Sequence, residues 1–511
     1  MRFISLFLAS ITVTATFATL AIAQAPVNKV IPNRYIIGYR SGQVPAALHT
    51  APGVNVITLH SRLGIAVIRT SAATRESLVA DPAVEFIVQD RLVSAHSVTV
   101  RPAASARPAV SSAPAPDALY NSPRGWAVRQ VGGSLGTAAH PGAWTYTKGS
   151  GVRIAILDSG VDRTHPDIAP NLQLNLSEVD QSAATGLPSP CDDGTPQDQQ
   201  GHGTWTASLA AGALGEGTGD IAGVAPEATI LNIKVLERMP SDTHTSADPS
   251  GCSAGQAAGL LSWVLKGIDD AVANRADIIS LSLGTLVDVT TGDGAGLKTL
   301  FDHATHAAAQ SGIILIAAAG NEGLSLARPQ FIELPAQSRD VLALIASTNP
   351  DCVENTATTA TCTPGPVTMP YYSNFGAPLN ALAAPGGSYP AALQADASSA
   401  SGWITGACSQ GIPSTLSGAP SDAAHSFGCF GLGHAAYVDA MGTSASAPLA
   451  AGAAALIRAA NPTWSAAAVV AELRRTATPA AGLPVPMLDA TAAVLAARIH
   501  TNHILAPTIT N

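Results

Sequence analysis

Four short stretches of this chain put reactive residue types where an apolar run ends or a helix-like run begins. "VRIAILDSGVD" carries Asp158 directly after a run ending at Leu157, and "QQGHGTWTASLAAG" carries His202 between Gly201 and Gly203. "IAAAGN" ends in Asn321, and "GTSASAP" holds Ser444 ahead of Pro448. A serine hydroxyl is a weak nucleophile until a base takes its proton. An imidazole can do so, and a carboxylate fixes the imidazole's tautomer and stabilises its cation. An Asn side-chain N–H can stabilise the oxyanion that forms on an attacked carbonyl. Taken singly, these stretches read as turns and helix caps. Together they hold the parts needed for acyl transfer.

Such parts need a frame. Near-continuous apolar runs at Val152–Leu157, Ala228–Leu236, Asp277–Leu283, Gly312–Ala319 and Val341–Ser347 predict strands covered on both faces. Helical patterns near Thr204–Ala213, Ala254–Arg275 and Leu297–Gln310 lie between them. This alternation predicts an α/β fold with a doubly wound, mostly parallel sheet, and in such sheets chemistry sits beyond the carboxyl ends of the strands. Upstream, Asn33–Ser94 reads as a small α+β unit built from "RYIIGY", "GIAVIRT", "AATRESLVADP" and "AVEFIVQD".

On these motifs the chain resembles the subtilisin-like serine proteases, the subtilases. The matching blocks are "ILDSGVDRTHPD", "GHGTWTA", "IAGVAPEATILNIKVL", "SLSLG", "AAAGN" and "GTSASAP", spread over roughly 126–493. The resemblance implies that Asp158 orients, that His202 is general base and acid, that Ser444 is the nucleophile and that Asn321 lines the oxyanion hole. It also implies that Ser282, Leu283 and Gly284 pair with substrate backbone as an added strand. Ala318, Ala319 and Gly320 would form the other wall of the main specificity pocket. Main-chain pairing accepts any extended peptide, and walls of Leu, Ala and Gly cannot demand a charge. The expectation is a broad serine endopeptidase favouring bulky apolar side chains before the scissile bond.

The resemblance further implies that residues 26–94 are an inhibitory propeptide, cut within the Pro/Ala-rich stretch 95–117 to release a peptidase domain over 118–500, with a tail at 501–511. Self-processing would start the mature chain between Ala95 and Asn121. Three departures stand out. Trp205 and Ser208 replace the family's usual His and Gly on the helix after His202, and Ala445 stands where a Met is common. A segment at 388–436 is an insert that either rims the cleft or decorates the surface, decoration being the expectation.

Composition sets limits. Of 511 residues 47% are hydrophobic and 12% charged, with net charge −9 and no dense Lys/Arg run. Nucleic acid and anionic membrane are therefore poor partners. Arg2, the apolar run Phe3–Ile22 and Ala23-Gln24-Ala25 form a secretory signal peptide over 1–25, so the expected enzyme is secreted, extracellular or periplasmic, and monomeric, with no membrane contact after cleavage. Six cysteines suit an oxidising compartment. Proximity suggests Cys352–Cys362 and Cys408–Cys429, leaving Cys191 with Cys252, and other pairings remain open.

Two competing readings concern single segments. Gly251-Cys252-Ser253-Ala254-Gly255 matches the G-x-S-x-G nucleophile elbow, which would need a strand before it; a loop leading into a helix is the expectation. Asp192, Asp193 and Asp198 form an acidic cluster in "CDDGTPQDQ", and subtilases often carry structural calcium. No liganding pattern is legible there, so a solvated acidic loop is the expectation, with structural calcium an open alternative and no cofactor required. A non-catalytic binding protein on the same fold would be expected to lack at least one of the four residues, and none is missing.

Overall fold

In the computed structural model the described residues are 30–40, 43–96, 99–102, 116–180, 189–241, 251–253, 255–328, 330–348, 367–376, 379–388, 402–410, 429–433 and 435–505. The first unit has strands β1 (Val30–Tyr39), β2 (Asn55–His60), β3 (Ile65–Arg69) and β4 (Val84–Ala95), with helix α1 (Ala72–Val79) capped by the Ser71 hydroxyl. Its strands pair antiparallel in the order β4-β1-β3-β2. Strand periodicity splits the side chains between two faces. Tyr35, Ile37 and Ile68 pack with Leu78 of α1, whereas Ile36, Ile65 and Val67 face the main body of the protein.

The main body is a seven-stranded sheet. Its strands are β6 (Arg153–Asp158), β7 (Leu172–Ser177), β8 (Thr229–Lys234), β11 (Ile278–Leu281), β13 (Ile314–Ala318), β15 (Val341–Ser347) and β16 (Ala381–Pro385). They run in the order β16-β15-β13-β11-β6-β8-β7, all parallel. Alternate residues of one strand feed opposite cores. Ile154 and Ile156 pack on the side of α2 (His202–Ala211) and α5 (Thr443–Ala460). Ala155 and Leu157 pack on the side of α3 (Leu261–Ala273) and α4 (Gly292–Gln310). Helices α6 (Ala466–Thr476) and α7 (Ala490–Leu505) follow α5, and the boundary expected at residue 500 falls inside α7. The doubly wound parallel sheet is thus present.

Short strands complete the frame: β5 (Thr99–Pro102), β9 (Glu237–Arg238), β10 (Ala257–Leu260), β12 (Leu283–Asp288), β14 (Phe331–Leu334), β17 (Ile404–Ala407) and β18 (Tyr437–Met441). Two expectations change here. The helix expected over Ala254–Arg275 begins only at Leu261, because Ala257–Leu260 is an extended edge paired with β9 and β4. The strand expected to end near Asp90 continues to Ala95, because its last residues gain partners on β10 and β12. Asp90 itself is buried and caps α3, accepting from the Ser262 amide (3.1 Å) and hydroxyl (2.6 Å) and from Arg34 Nε (2.7 Å). A buried carboxylate at a helix N-terminus, with a guanidinium beside it, locks the first unit to the main body.

Disulfides join Cys191 to Cys252 and Cys408 to Cys429. Cys352, Cys362 and the signal segment lie outside the described residues, as does most of the 95–117 stretch. Among the described residues no helix is long and apolar enough to cross a membrane.

Candidate active site

Asp158 ends β6, and His202 opens α2 after Gly201, whose φ of +107° and tight surroundings suit only glycine. Asp158 Oδ1 lies 2.7 Å from His202 Nδ1, with both side chains 1% exposed. The Ser159 amide (2.7 Å) and Thr206 hydroxyl (3.2 Å) also donate to Asp158, so the carboxylate is oriented from three sides. His202 Nε2 is buried and has no hydrogen-bond partner among the described residues, which leaves one ring nitrogen for proton transfer.

What brings β6 and α2 together is Asp198. Buried, it accepts from the amides of Gln200 (2.9 Å), Gly201 (2.7 Å) and Thr204 (2.9 Å), and from the Thr204 hydroxyl (2.6 Å). The Ser159 hydroxyl donates to it too (3.0 Å) while accepting from the Gly203 amide (2.9 Å). The other two members of the acidic cluster are likewise engaged. Asp192 takes Lys234 Nζ (2.8 Å) and the Arg238 amide (2.9 Å), and Asp193 takes the Thr195 hydroxyl (2.7 Å).

Ser444 is the second residue of α5 and fully buried. It does not cap the helix, which has no side-chain cap; its Oγ donates to the Ser282 carbonyl (3.4 Å). Ser446 donates to the Ala384 carbonyl (2.9 Å). Pro448 lacks the amide that would bond the Ser444 carbonyl one turn back. That carbonyl accepts instead from Ser282 Oγ at 2.9 Å. Asn321 Oδ1 is held by the Thr443 amide and hydroxyl, both at 2.8 Å, which fixes the end of the side-chain amide that can donate. The Thr443 hydroxyl is also bonded by the Gly320 amide (3.2 Å). At the carboxyl edge of the sheet Asp158 pairs with His202, and Asn321, Thr443, Ser444 and Ser282 are joined to one another; His202 and Ser444 share no hydrogen bond among the described residues.

The cleft beside them holds part of this same chain. Leu92, Val93 and Ser94 pair antiparallel with β10, and Ser94 and Ala95 pair with Gly284 and Leu283 of β12. The His96 amide then donates to the Ser282 carbonyl (3.5 Å), the acceptor that Ser444 Oγ also uses. Beyond, Thr99–Pro102 pairs with β18, with Thr99 opposite Met441. The His96 ring is buried, with the Ala318 carbonyl acting on it from one wall.

One expectation about this pocket needs correcting. Its lining is not only Leu, Ala and Gly, because Glu333 of β14 reaches its far end. A Cβ on Gly284 would meet Glu333 Oε1 at 2.3 Å and His96 Cε1 at 2.9 Å, which places carboxylate and imidazole side by side. Glu333 is 1% exposed, neither oxygen meets hydrogen-bond geometry with a described residue, although the Thr285 backbone acts on the carboxylate, and Oε1 lies 3.8 Å from His96 Nε2. Burial, then the nearby Glu322 carboxylate, push its pKa well above the usual carboxylate range. In "FIEL" it reads as an ordinary outward-facing strand residue. An acid inside an otherwise apolar run is the only sequence signal it leaves.

The insert does more than decorate. Cys408 and Cys429 pack against Gly201, and the Phe430 amide donates to the Gln200 carbonyl (2.7 Å). Trp205 donates to the Ile404 carbonyl (3.2 Å), and the Ser208 hydroxyl accepts from the Ala407 amide (3.0 Å). The two unusual residues of α2 are thus the ones that bind β17. The G-x-S-x-G reading fails, since Cys252 is bridged to Cys191 and the segment leads into strand β10 instead of a helix.

Comparison with known proteins agrees with this geometry. The model of the subtilase family, Peptidase S8, matches residues 149–494. Subtilisin NAT of Bacillus subtilis subsp. natto is 28% identical over 481 residues, 93% of this chain and 92% of its own. Subtilisin of Bacillus pumilus is 32% identical over 65% of this chain and 85% of its own. The epidermin leader peptide processing serine protease of Staphylococcus aureus superposes with a TM-score of 0.61 at 18% identity, over 90% of this chain and 97% of its own. At that identity the likeness speaks for the fold.

Proposed function

The chain belongs to the subtilase family and is a serine endopeptidase, and we propose that it acts through Asp158, His202 and Ser444 as a secreted, self-processing zymogen. His202 Nε2 takes the Ser444 proton as Oγ adds to the peptide carbonyl, and Asp158 stabilises the imidazolium. The Asn321 side-chain amide stabilises the oxyanion. His202 then returns the proton to the leaving amine, and water resolves the acyl-enzyme by the same route. Ser282–Gly284 and Ala257–Leu260 flank an extended substrate, while Ala318–Gly320 walls the pocket for the residue before the scissile bond.

The observation that carries this reading is Leu92–His96 of the same chain. It lies as an added strand between β10 and β12 and ends on the Ser282 carbonyl that Ser444 shares. A segment so placed blocks the cleft until it is cut and released, as an inhibitory propeptide must. The N-terminal apolar segment directs export, and the enzyme works as a monomer on protein and peptide substrates without a required cofactor. Breadth follows from main-chain pairing; the apolar preference suggested by the pocket walls has to be revised at its end, where Glu333 stands.

The test compares secreted wild type with Ser444→Ala for loss of the N-terminal segment and for casein digestion. In subtilisin itself, removing the nucleophile lowers turnover by about 10⁶, and a drop of that order is expected here. Wild type should shed its N-terminus and digest casein while the variant stays at full length and inert. Equal processing of both, with no digestion, would overturn the proposal.

A further inference from the structure

Glu333 presents a buried carboxylate, with no side-chain partner among the described residues, to the side chain that precedes the bond to be cut. Such a group is costly beside an aromatic or aliphatic side chain, and the cost falls when the occupant brings a nitrogen donor or a positive charge. The chain's own occupant of that pocket is a histidine. Its ring faces Glu333 Oε1 at 3.8 Å, with the Glu322 carboxylate acting from the adjoining wall. We propose that the primary pocket selects histidine, lysine or arginine, with Glu333 as the determinant, and that the enzyme's own first cut is the His96–Ser97 bond. This rests on the endopeptidase reading above and names its specificity.

Register points to that bond. Ser94 lies opposite Gly284 and Ala95 opposite Leu283, so His96 is the next residue, and its amide reaches the Ser282 carbonyl. By Thr99 the chain already pairs with β18, the strand that leads into the Ser444 turn. In the reaction, Ser444 Oγ bonds the His96 carbonyl carbon as its proton passes to His202 Nε2. That proton moves to the Ser97 nitrogen as the C–N bond breaks. Water then adds to the ester, leaving a His96 carboxylate and restoring the Ser444 hydroxyl.

The groups that face the pocketed side chain are Glu333 on β14, Glu322 beyond β13, and the His202–Asp158 pair across the cleft. Burial holds both the His96 ring and Glu333 toward their neutral forms, Glu322 and Asp158 opposing it at His96, so an occupant that brings its own nitrogen donor or charge to Glu333 is favoured over an apolar one. The long side chains of lysine and arginine carry their charge to the depth at which Glu333 lies.

The experiment uses the matured enzyme and peptide substrates that differ only in the residue before the scissile bond: Lys, Arg, His, Phe or Leu. Wild type is expected to favour the basic set in kcat/KM by about 10-fold or more, the range set by an unpaired buried polar group. Glu333→Gln should shrink that preference about 10-fold. In the full chain, His96→Phe should slow self-cleavage in wild type and slow it less in Glu333→Gln. N-terminal sequencing of the matured wild type should begin at Ser97. A preference for Phe or Leu in wild type, an unchanged preference in Glu333→Gln, or a first cut elsewhere overturns the proposal. Failure to cleave any of the peptides or casein overturns the endopeptidase reading itself, a distinguishable result.

Discussion

The Phe430 ring stands edge-on to the His202 imidazole, with centroids 6.2 Å apart and planes at 76°. Trp205 flanks the same imidazole at 5.9 Å. The imidazole is thus bounded by one aromatic from its own helix and one from the insert. Phe430 is itself in the left-handed region (φ 51°), a conformation that needs support from its surroundings, and the Cys408–Cys429 bridge adjoins it.

Truncating that contact should affect catalysis without dismantling the fold. Phe430→Ala is expected to lower kcat/KM several-fold, corresponding to about 1 kcal/mol for one aromatic contact. The Cys408→Ala/Cys429→Ala double variant should lower it further, because Gln200 and Gly201 lose their packing. Steady-state kinetics alongside thermal melting distinguish this from simple destabilisation: melting losses without a kinetic change would refute the role assigned to the insert.

Asp167 gives a pH-dependent stability. Burial raises its pKa from 3.8 to about 7, with the Asp220 carboxylate adding to the rise and the Tyr437 hydroxyl opposing it. Its Oδ2 also lies 3.6 Å from His165 Nδ1. Its folded pKa is raised, so its contribution is complete below the unfolded value and is lost as pH climbs through about 7. The upper figure is about 1.4 kcal/mol per pH unit inside that window. Asp167→Asn should therefore lose less stability between pH 5 and pH 8 than wild type. Parallel melting curves across that range would contradict this origin.

Oxidation offers a third check. Ala445, beside the nucleophile, has no thioether to oxidise, and the nearest methionine in sequence, Met441, is only 3% exposed. Wild type is expected to keep its activity in dilute peroxide, while Ala445→Met should lose activity as its sulfur is converted to the bulkier, polar sulfoxide. Rapid inactivation of wild type would contradict the expectation.

The residues that converge at the sheet edge were legible because their neighbours carry information too. Glycines beside His202, the apolar run before Asp158 and the small residues around Ser444 all report local backbone geometry. Less legible was everything that depends on pairing between distant segments. Ala257–Leu260 is helix-like in composition and becomes a strand only because β4 and β9 lie beside it. Leu92–Ala95 lies past the strand legible in the sequence, at the junction with the linker, and becomes extended because β10 and β12 offer it partners. Glu333 and Phe430 act across the site from far along the chain, and no local period encodes such a contact.

The exchange between Ser282 and Ser444 runs in both directions: one hydroxyl donates to the other residue's carbonyl, and the favour is returned. Because Pro448 leaves the Ser444 carbonyl unclaimed by its own helix, the proposed nucleophile is held against the residue proposed to pair with the incoming peptide. The two residues are thereby clasped to each other across separate elements, α5 and the link before β12, without help from either element's own ladder.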